Sequence, residues 1–281
     1  MPALKQLLIP LIPIVFLLAL AVPRFLQRRI QKVRLPVKDK LLRPPGESLR
    51  VRIEEMDDKG NYLTMWLLAF PLIALSSMSH LHWAFPALFS AVGCGVLSLY
   101  LFRVFKRRSD HWIGFQGERA VAEELNQLMR KGCIVFHDLL MTEKSNIDHV
   151  IVAPTGVFVV ETKTRRKRRA RQDREDHKVI FDGKALHFPH GTDKYGLAQT
   201  DRNAAWLADQ LSKALAEPIT VTPILTFPGW YIERTGRGKV NVVHHKEIAK
   251  VIASDLGSPL NEKQMKQISA WLEDRCRNVE F

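Results

Sequence analysis

Cysteine is scarce and scattered: Cys94, Cys133 and Cys276 stand alone, with no C-x-x-C pair. That spacing excludes a cysteine zinc site and a disulfide framework, and an odd count fits a reducing compartment. No G-x-S-x-G, G-x-x-x-x-G-K-[ST] or G-x-G-x-x-G sequence occurs. The serine-hydrolase elbow, the P-loop and the dinucleotide fingerprint are therefore missing, and no nucleotide cofactor is expected. Acid is in short supply too. Asp and Glu number 29 against 42 Lys and Arg, a net charge of +13. Such an excess favours a polyanionic partner, either nucleic acid or an anionic lipid surface.

Charge disappears altogether between Asn61 and Phe102, where no Asp, Glu, Lys or Arg is found. That run is about twice the roughly 20 residues that cross a bilayer. Its polar break, Ser79-His80-Leu81-His82, divides it into candidate spans at 62–79 and 83–102, and Trp66, Trp83 and Tyr100 lie toward their ends, where amphipathic rings prefer the interface. An earlier apolar segment, 7–23, carries Pro10 and Pro13. It reads either as a span or, through Ala19-Leu20-Ala21, as the core of a signal peptide. Lys and Arg crowd 24–60 and return directly after Phe102 as Arg103, Lys106, Arg107 and Arg108. Positive-inside logic then favours three retained spans, with the 24–60 loop and everything after 102 in the cytosol. The expectation is a multi-pass anchor over 1–108 in the inner (cytoplasmic) membrane, its basic loop a connector lying on anionic lipid, and a soluble domain over 109–281.

The soluble half alternates element types. GFQGERAVAEELNQLMRKG places Glu118, Val121, Leu125 and Leu128 on one helical stripe, and Gly132 ends it. A strand, CIVFHDL, follows, and then two β-branched runs around Ala-Pro-Thr-Gly, a type I turn that predicts a hairpin. KVIFDGKALHF reads as a strand or hairpin around Asp182-Gly183. YGLAQTDRNAAWLADQLSKALAE is a strongly amphipathic helix, ITVTPILTFPG and GKVNVVHH are strands, and a helix around NEKQMKQISAWLEDRC closes the chain. This order predicts a layered α/β domain.

The hairpin carries the chemistry. Glu161 and Lys163 are two apart and share a strand face. If Ala153 opposes Gly156, Asp148 falls directly across from Glu161, about 5 Å away at Cβ. Paired carboxylates at that separation suit a hard divalent cation, Mg²⁺ or Mn²⁺. Lys163 beside them would orient or deprotonate a water, or neutralise developing phosphorane charge. The plainer reading is an ion pair between Glu161 and Lys163. Glu118 lies on an apolar stripe, where a carboxylate is costly unless paired; as an alternative it meets the dipole of a helix starting nearby. Gly114 and Gly117 permit close backbone approach there. Arg165, Arg166, Lys167, Arg168, Arg169 and Arg171 run out from the catalytic strand, either as a solvated or lipid-facing loop or as phosphate contacts beside the site. His149 alternates to the opposite face from Asp148 and reads as packing or capping.

GFQGE, then NIDHVIVAPTGVFVVETK, then a glutamine at the head of a helix resembles the NERD (nuclease-related) domain, a branch of the PD-(D/E)xK nuclease superfamily, over roughly 112–230. The block from Ile147 to Lys163 is the specific part. The resemblance implies a restriction-endonuclease-like mixed sheet flanked by helices and a metal-dependent phosphodiesterase core. It further implies Asp148 and Glu161 as ligands, Lys163 as catalytic lysine, Glu118 as accessory acid and ligand, and Gln199 as the family's helix glutamine. An Asn-Pro pair usual before that glutamine is replaced here by Lys194-Tyr195-Gly196-Leu197. The expected function is a membrane-anchored Mg²⁺- or Mn²⁺-dependent nuclease, on DNA rather than RNA. The alternative is a catalytically silent module that binds or tethers nucleic acid at the membrane.

Overall fold

The computed structural model describes residues 40–77, 82, 84–143, 145–167, 177–254 and 256–279. The expected span at 7–23, most of the connector before residue 40, and Arg168, Arg169 and Arg171 lie outside the described residues. Two compact units emerge: Val51–His111 form most of the first, and Asp39–Arg50 with Trp112–Phe281 form the second.

Two helices make the first unit, the greater part of α1 (Glu47–Ser77) and the first part of α2 (Ala84–Met129). A Cβ on Gly93 would stand 2.5 Å from the Phe70 ring, so a glycine is needed where that ring lies flat on α2. Phe70 also meets Phe89, with ring centres 5.6 Å apart. Toward the basic end, Arg108 pairs with Asp57, its Nη2 2.9 Å from Oδ2, and the Lys59 ammonium lies 5.0 Å from the centre of the Tyr100 ring. Most large apolar side chains point outward, among them Leu88, Val96, Leu99 and Phe102. Among the described residues, α2 is the one helix long and apolar enough to cross a membrane, with mean hydropathy 1.8 and only 6% of its apolar window buried.

Two local expectations change here. The connector 24–60 is not all loop, because α1 already begins at Glu47, directly after the Pro-Pro-Gly turn. Nor does a helix start at Gly114–Gly117: α2 runs unbroken from Ala84 through the basic stretch 103–108. Arg and Lys are good helix formers, and neither Gly nor Pro interrupts Phe102–Ile113. The charge cluster ends the apolar run without ending the helix.

The second unit is built on a five-stranded mixed sheet in the order β10-β8-β4-β3-β2. Its strands are β2 (Ile134–Thr142), β3 (Ser145–Ala153), β4 (Gly156–Thr162), β8 (Val221–Thr226) and β10 (Asn241–Val243). β2, β3 and β4 are antiparallel neighbours, while β4–β8 and β8–β10 are parallel. Strand alternation sorts the apolar side chains between two faces. Val150, Val152, Val157 and Val159 meet Leu207 and Leu211 of α3 (Tyr195–Leu215) and Ile268 and Leu272 of α5 (Glu262–Cys276). Ile151, Ala153, Phe158 and Val160 meet Val121, Leu125 and Leu128 of α2, and Ile248, Val251 and Ile252 of α4 (Ile248–Ile252). Helices cover both faces, giving the expected α/β layers.

A second sheet, ordered β7-β6-β5-β9, adds β5 (Lys178–Phe181), β6 (Leu186–Phe188), β7 (Gly191–Asp193) and β9 (Tyr231–Arg234). The hairpin expected around Asp182-Gly183 forms, with Phe181 opposite Leu186 and Gly183 at φ 92°. Finally β1 (Leu41–Leu42) pairs with β11 (Arg277–Val279), tying the start of the described chain to its end.

That tie rests on a buried ion pair which sequence reading does not reveal. Arg43 donates through Nε at 3.1 Å and Nη2 at 2.6 Å to Asp138 Oδ2. The same oxygen accepts the Ser48 backbone N–H at 2.6 Å, at the head of α1, and Oδ1 accepts Asn146 Nδ2 at 2.6 Å. Asp138 is fully buried and takes the left-handed conformation at φ 52°, which an L side chain adopts only when its surroundings enforce it.

Candidate active site

β3 and β4 leave the Pro154-Thr155 turn with Ala153 opposite Gly156, and the pairing continues to His149 opposite Val160. Asp148 and Glu161 are the next residues on the two strands past this last pair, Asp148 within β3 and Glu161 near the end of β4. There the Thr162 N–H donates to Asp148 Oδ2 at 2.7 Å. Both carboxylates are buried, as is Glu118, which comes from α2. On the helix side of Glu118 the backbone fits tightly: a Cβ on Gly117 would fall 1.9 Å from Thr164 Oγ1. A glycine at 117 lets α2 approach the end of β4 this closely. Because α2 starts at Ala84, Glu118 sits mid-helix, and the alternative in which it meets a helix-start dipole falls away.

Glu161 is the hub. Its Oε1 accepts Lys163 Nζ at 2.8 Å and Gln199 Nε2 at 2.7 Å. Gln199 Oε1 in turn accepts Lys163 Nζ at 2.9 Å, closing a three-membered ring of contacts. Oε2 accepts Asn203 Nδ2 at 2.9 Å. Asn203 was missed in the sequence, although a signal existed. It lies one helical turn after Gln199 and beside Ala204, a polar residue on a stripe otherwise buried as Gly196, Thr200, Ala204, Leu207 and Leu211. α3 thus presents two amides to Glu161 of β4.

Electrostatics follow from burial. Asp148 is held well above the ordinary carboxylate range, first by desolvation, then by the charges of Glu161 and Glu118; Lys163 and the Thr162 N–H oppose this only partly. Glu161 is raised as well by burial, against the pull of Lys163 and Asn203. At Lys163 burial acts to lower the pKa, but Glu161 and Asp148 outweigh it and leave the group raised. The lysine is therefore a firmly held cation. Asp148 and Glu161 act on the Lys163 ammonium, and Glu118 adds its negative charge at Asp148; the two strand carboxylates offer the hard oxygens that a divalent cation takes. Among the described residues no group of three or more His, Cys, Asp or Glu side chains is arranged to hold a metal ion.

Behind Asp148, on the other side of the strand, His149 meets His137 with Nδ1 atoms 2.9 Å apart, and its Nε2 lies 3.4 Å from Thr162 Oγ1. Burial lowers both pKa values, His137 to about 4. The pair packs as neutral rings, as the alternation of β3 implied for His149. In the basic run, Arg165 pairs with Asp193 and stacks 4.3 Å from the centre of the Phe188 ring. Lys167 lies 5.9 Å over Trp230, and Arg166 is exposed. Arg165 thus braces the second sheet against the end of the catalytic strand.

Residues 113–228 match the family model of the nuclease-related domain. A Bacillus anthracis protein described as uncharacterized is 39% identical over 64 residues, which cover 21% of this chain and 30% of that protein. The chain therefore spans under a third of this curated relative's length. No solved structure matches. Glu118, Asp148, Glu161, Lys163 and Gln199 all fall inside the matched stretch, which supports a nuclease-related domain over residues 113–228.

Proposed function

We propose that the chain is a membrane-anchored, metal-dependent nuclease that hydrolyses phosphodiester bonds, with DNA its substrate rather than RNA. One observation carries this reading: the buried carboxylates of Asp148 and Glu161 lie within electrostatic reach of Lys163, with Gln199 closing the contact between Glu161 and Lys163. Asp148 and Glu161, with Glu118 beside them, would hold Mg²⁺ or Mn²⁺. A bound ion of this kind supplies Lewis-acid polarisation of the phosphoryl group and a more acidic water. This chain's own residues do the positioning. Thr162 fixes the Asp148 carboxylate and Asn203 fixes that of Glu161. Lys163 stays protonated and is oriented by two acceptors, which suits neutralising charge on the pentavalent phosphorus better than abstracting a proton.

Anchoring draws on the outward apolar surface of α2 and the charge-free run 61–102. With the basic flanks on the inner side, the nuclease domain would face the cytosol from the inner membrane, close to anionic lipid. The remaining basic-run side chains, Arg166 and Lys167 with Arg168, Arg169 and Arg171, would serve as phosphate contacts.

The test is Mg²⁺-dependent cleavage of DNA by the full chain in detergent, compared with Asp148→Ala and Lys163→Ala. Both variants should lose cleavage by about 10²–10³-fold, the scale on which catalytic electrostatics acts, while melting as folded proteins. Equal cutting by wild type and variants would sink the proposal. A second reading is favoured by the complete occupancy of Glu161 by its own chain's donors: a silent module that binds nucleic acid without cutting it. It predicts binding with a steep salt dependence that survives Asp148→Ala.

A further inference from the structure

α3 begins beside the site with an exposed aromatic residue. Tyr195 is its first residue, 67% exposed. Gly196, the next residue, lies against the lysine itself: a Cβ there would sit 3.7 Å from Lys163 Cγ. Positions 195, 199 and 202 are spaced i, i+4 and i+7 and form one ridge of the helix. That ridge carries Tyr195, then Gln199 in contact with Glu161 and Lys163, then Arg202, whose guanidinium lies 6.0 Å from the Tyr195 ring centre. The ring is mobile only about its own side chain, because its backbone is pinned. Asp193 Oδ1 accepts the Tyr195 N–H at 2.7 Å, and the same carboxylate pairs with Arg165 just past the catalytic strand. A flat, exposed ring is thus held at the rim of the site, with a cation alongside it.

We propose that Tyr195 is a stacking platform for an unpaired base next to the scissile phosphate, so that the site takes single-stranded or frayed nucleic acid in preference to blunt duplex. This rests on the nuclease reading above and adds the substrate class. Inside a duplex both faces of a base are already covered by its neighbours, so only an unpaired base offers a face to the ring. Stacking of a base on an aromatic side chain is sequence-tolerant and is strong enough to set a preference. Arg202 contributes beside the ring as a cation near the strand's phosphates.

The experiment compares kcat/KM of the full chain in detergent, with Mg²⁺, on a single-stranded DNA oligonucleotide and on the same sequence as a blunt duplex. Wild type is expected to prefer the single strand, and Tyr195→Ala to lower the single-strand to duplex ratio about tenfold. Tyr195→Phe, which keeps the ring and removes the hydroxyl, should retain the wild-type ratio. Wild type that prefers the duplex, or a Tyr195→Ala ratio equal to wild type, overturns the inference and leaves the nuclease reading standing. Wild type no more active than Asp148→Ala on either substrate removes both.

Discussion

The two units of this chain use apolar residues in opposite ways. In the sheet domain they alternate along strands or stripe the covering helices and are buried: Val159 of β4 and Leu207 of α3 are each 0% exposed. In the helical unit they surround α2 and face outward, Leu99 being 65% exposed. Contiguous exposed apolar surface is what membrane or partner contacts cover, whereas the sheet domain covers its own. Composition alone cannot separate the two cases; the period of the pattern and the length of the charge-free run can. Polar side chains differ as well. Those of the sheet domain are buried and mutually satisfied, around Glu161 and again around Asp138, whereas Arg108 and Asp57 of the helical unit remain half-exposed.

The sharpest way to break the sheet domain is through its buried charge. Arg43→Ala strands the Asp138 carboxylate in the interior and should cost about 3–5 kcal/mol, read as a fall in the denaturant midpoint of that domain. By the same argument, a fragment that starts at residue 109 lacks Arg43 and should be far less stable than one in which 39–50 is supplied. An unchanged midpoint would mean that the ion pair does not hold the segment. Next in size is a pair of matched truncations. Leu207→Ala should destabilise by about 2–5 kcal/mol, while Leu99→Ala, measured in detergent, should stay within about 0.5 kcal/mol as an outward substitution does. Similar losses at both positions would erase the contrast between the units.

The smallest effect concerns pH. The folded-state pKa of Asp148 is raised, so its ionisation penalises folding above that value, and the penalty vanishes below the unfolded value of about 3.9. Asp148→Asn should therefore melt higher than wild type at neutral pH, with the gap narrowing as the solution is acidified. A gap that widens on acidification would contradict the assignment. Over the same range the neutral pair His137 and His149 acts in the opposite sense. Their folded pKa values are lowered, that of His137 to about 4, so their contribution is complete above the unfolded value of about 6.5 and declines as pH falls toward 4. Both proteins carry that loss, and the comparison between them cancels it.

Much of this was legible in residue order, and the exceptions have physical causes. The hairpin register could be read because a period of two and a Pro-Thr turn leave little choice of pairing. Glu118, Asp148, Glu161, Lys163 and Gln199 came from the motif; Glu161, Lys163 and Gln199 bond one another, and Asp148 feels the charges of Glu161, Glu118 and Lys163. Asn203 was hidden by its apolar neighbours, although a polar residue one turn from Gln199 was the available sign. Asp138 gave no sign at all, since its role depends on Arg43, 95 positions earlier, and on a backbone angle. The onset of α1 was masked by its charges: Glu47 and Arg50 bond one another across a turn and support a helix that has no apolar stripe to announce it. The basic run 103–108 ends the apolar stretch of α2 but not the helix, which a change of composition alone does not announce.

The ribbon of β1 and β11 has a consequence in time. Arg43 and its partner Asn278 are 235 positions apart, which at about 5–20 residues per second separates their synthesis by roughly 10–50 s. Throughout that interval the segment around Arg43 has been made while the strand it will pair with does not exist, and both helices of the first unit emerge in between. The β1–β11 ribbon is therefore completed last, after its upstream strand has waited while the chain of another unit is made. Non-local closure of this kind is slow, and it ties completion of the domain to the arrival of the last strand.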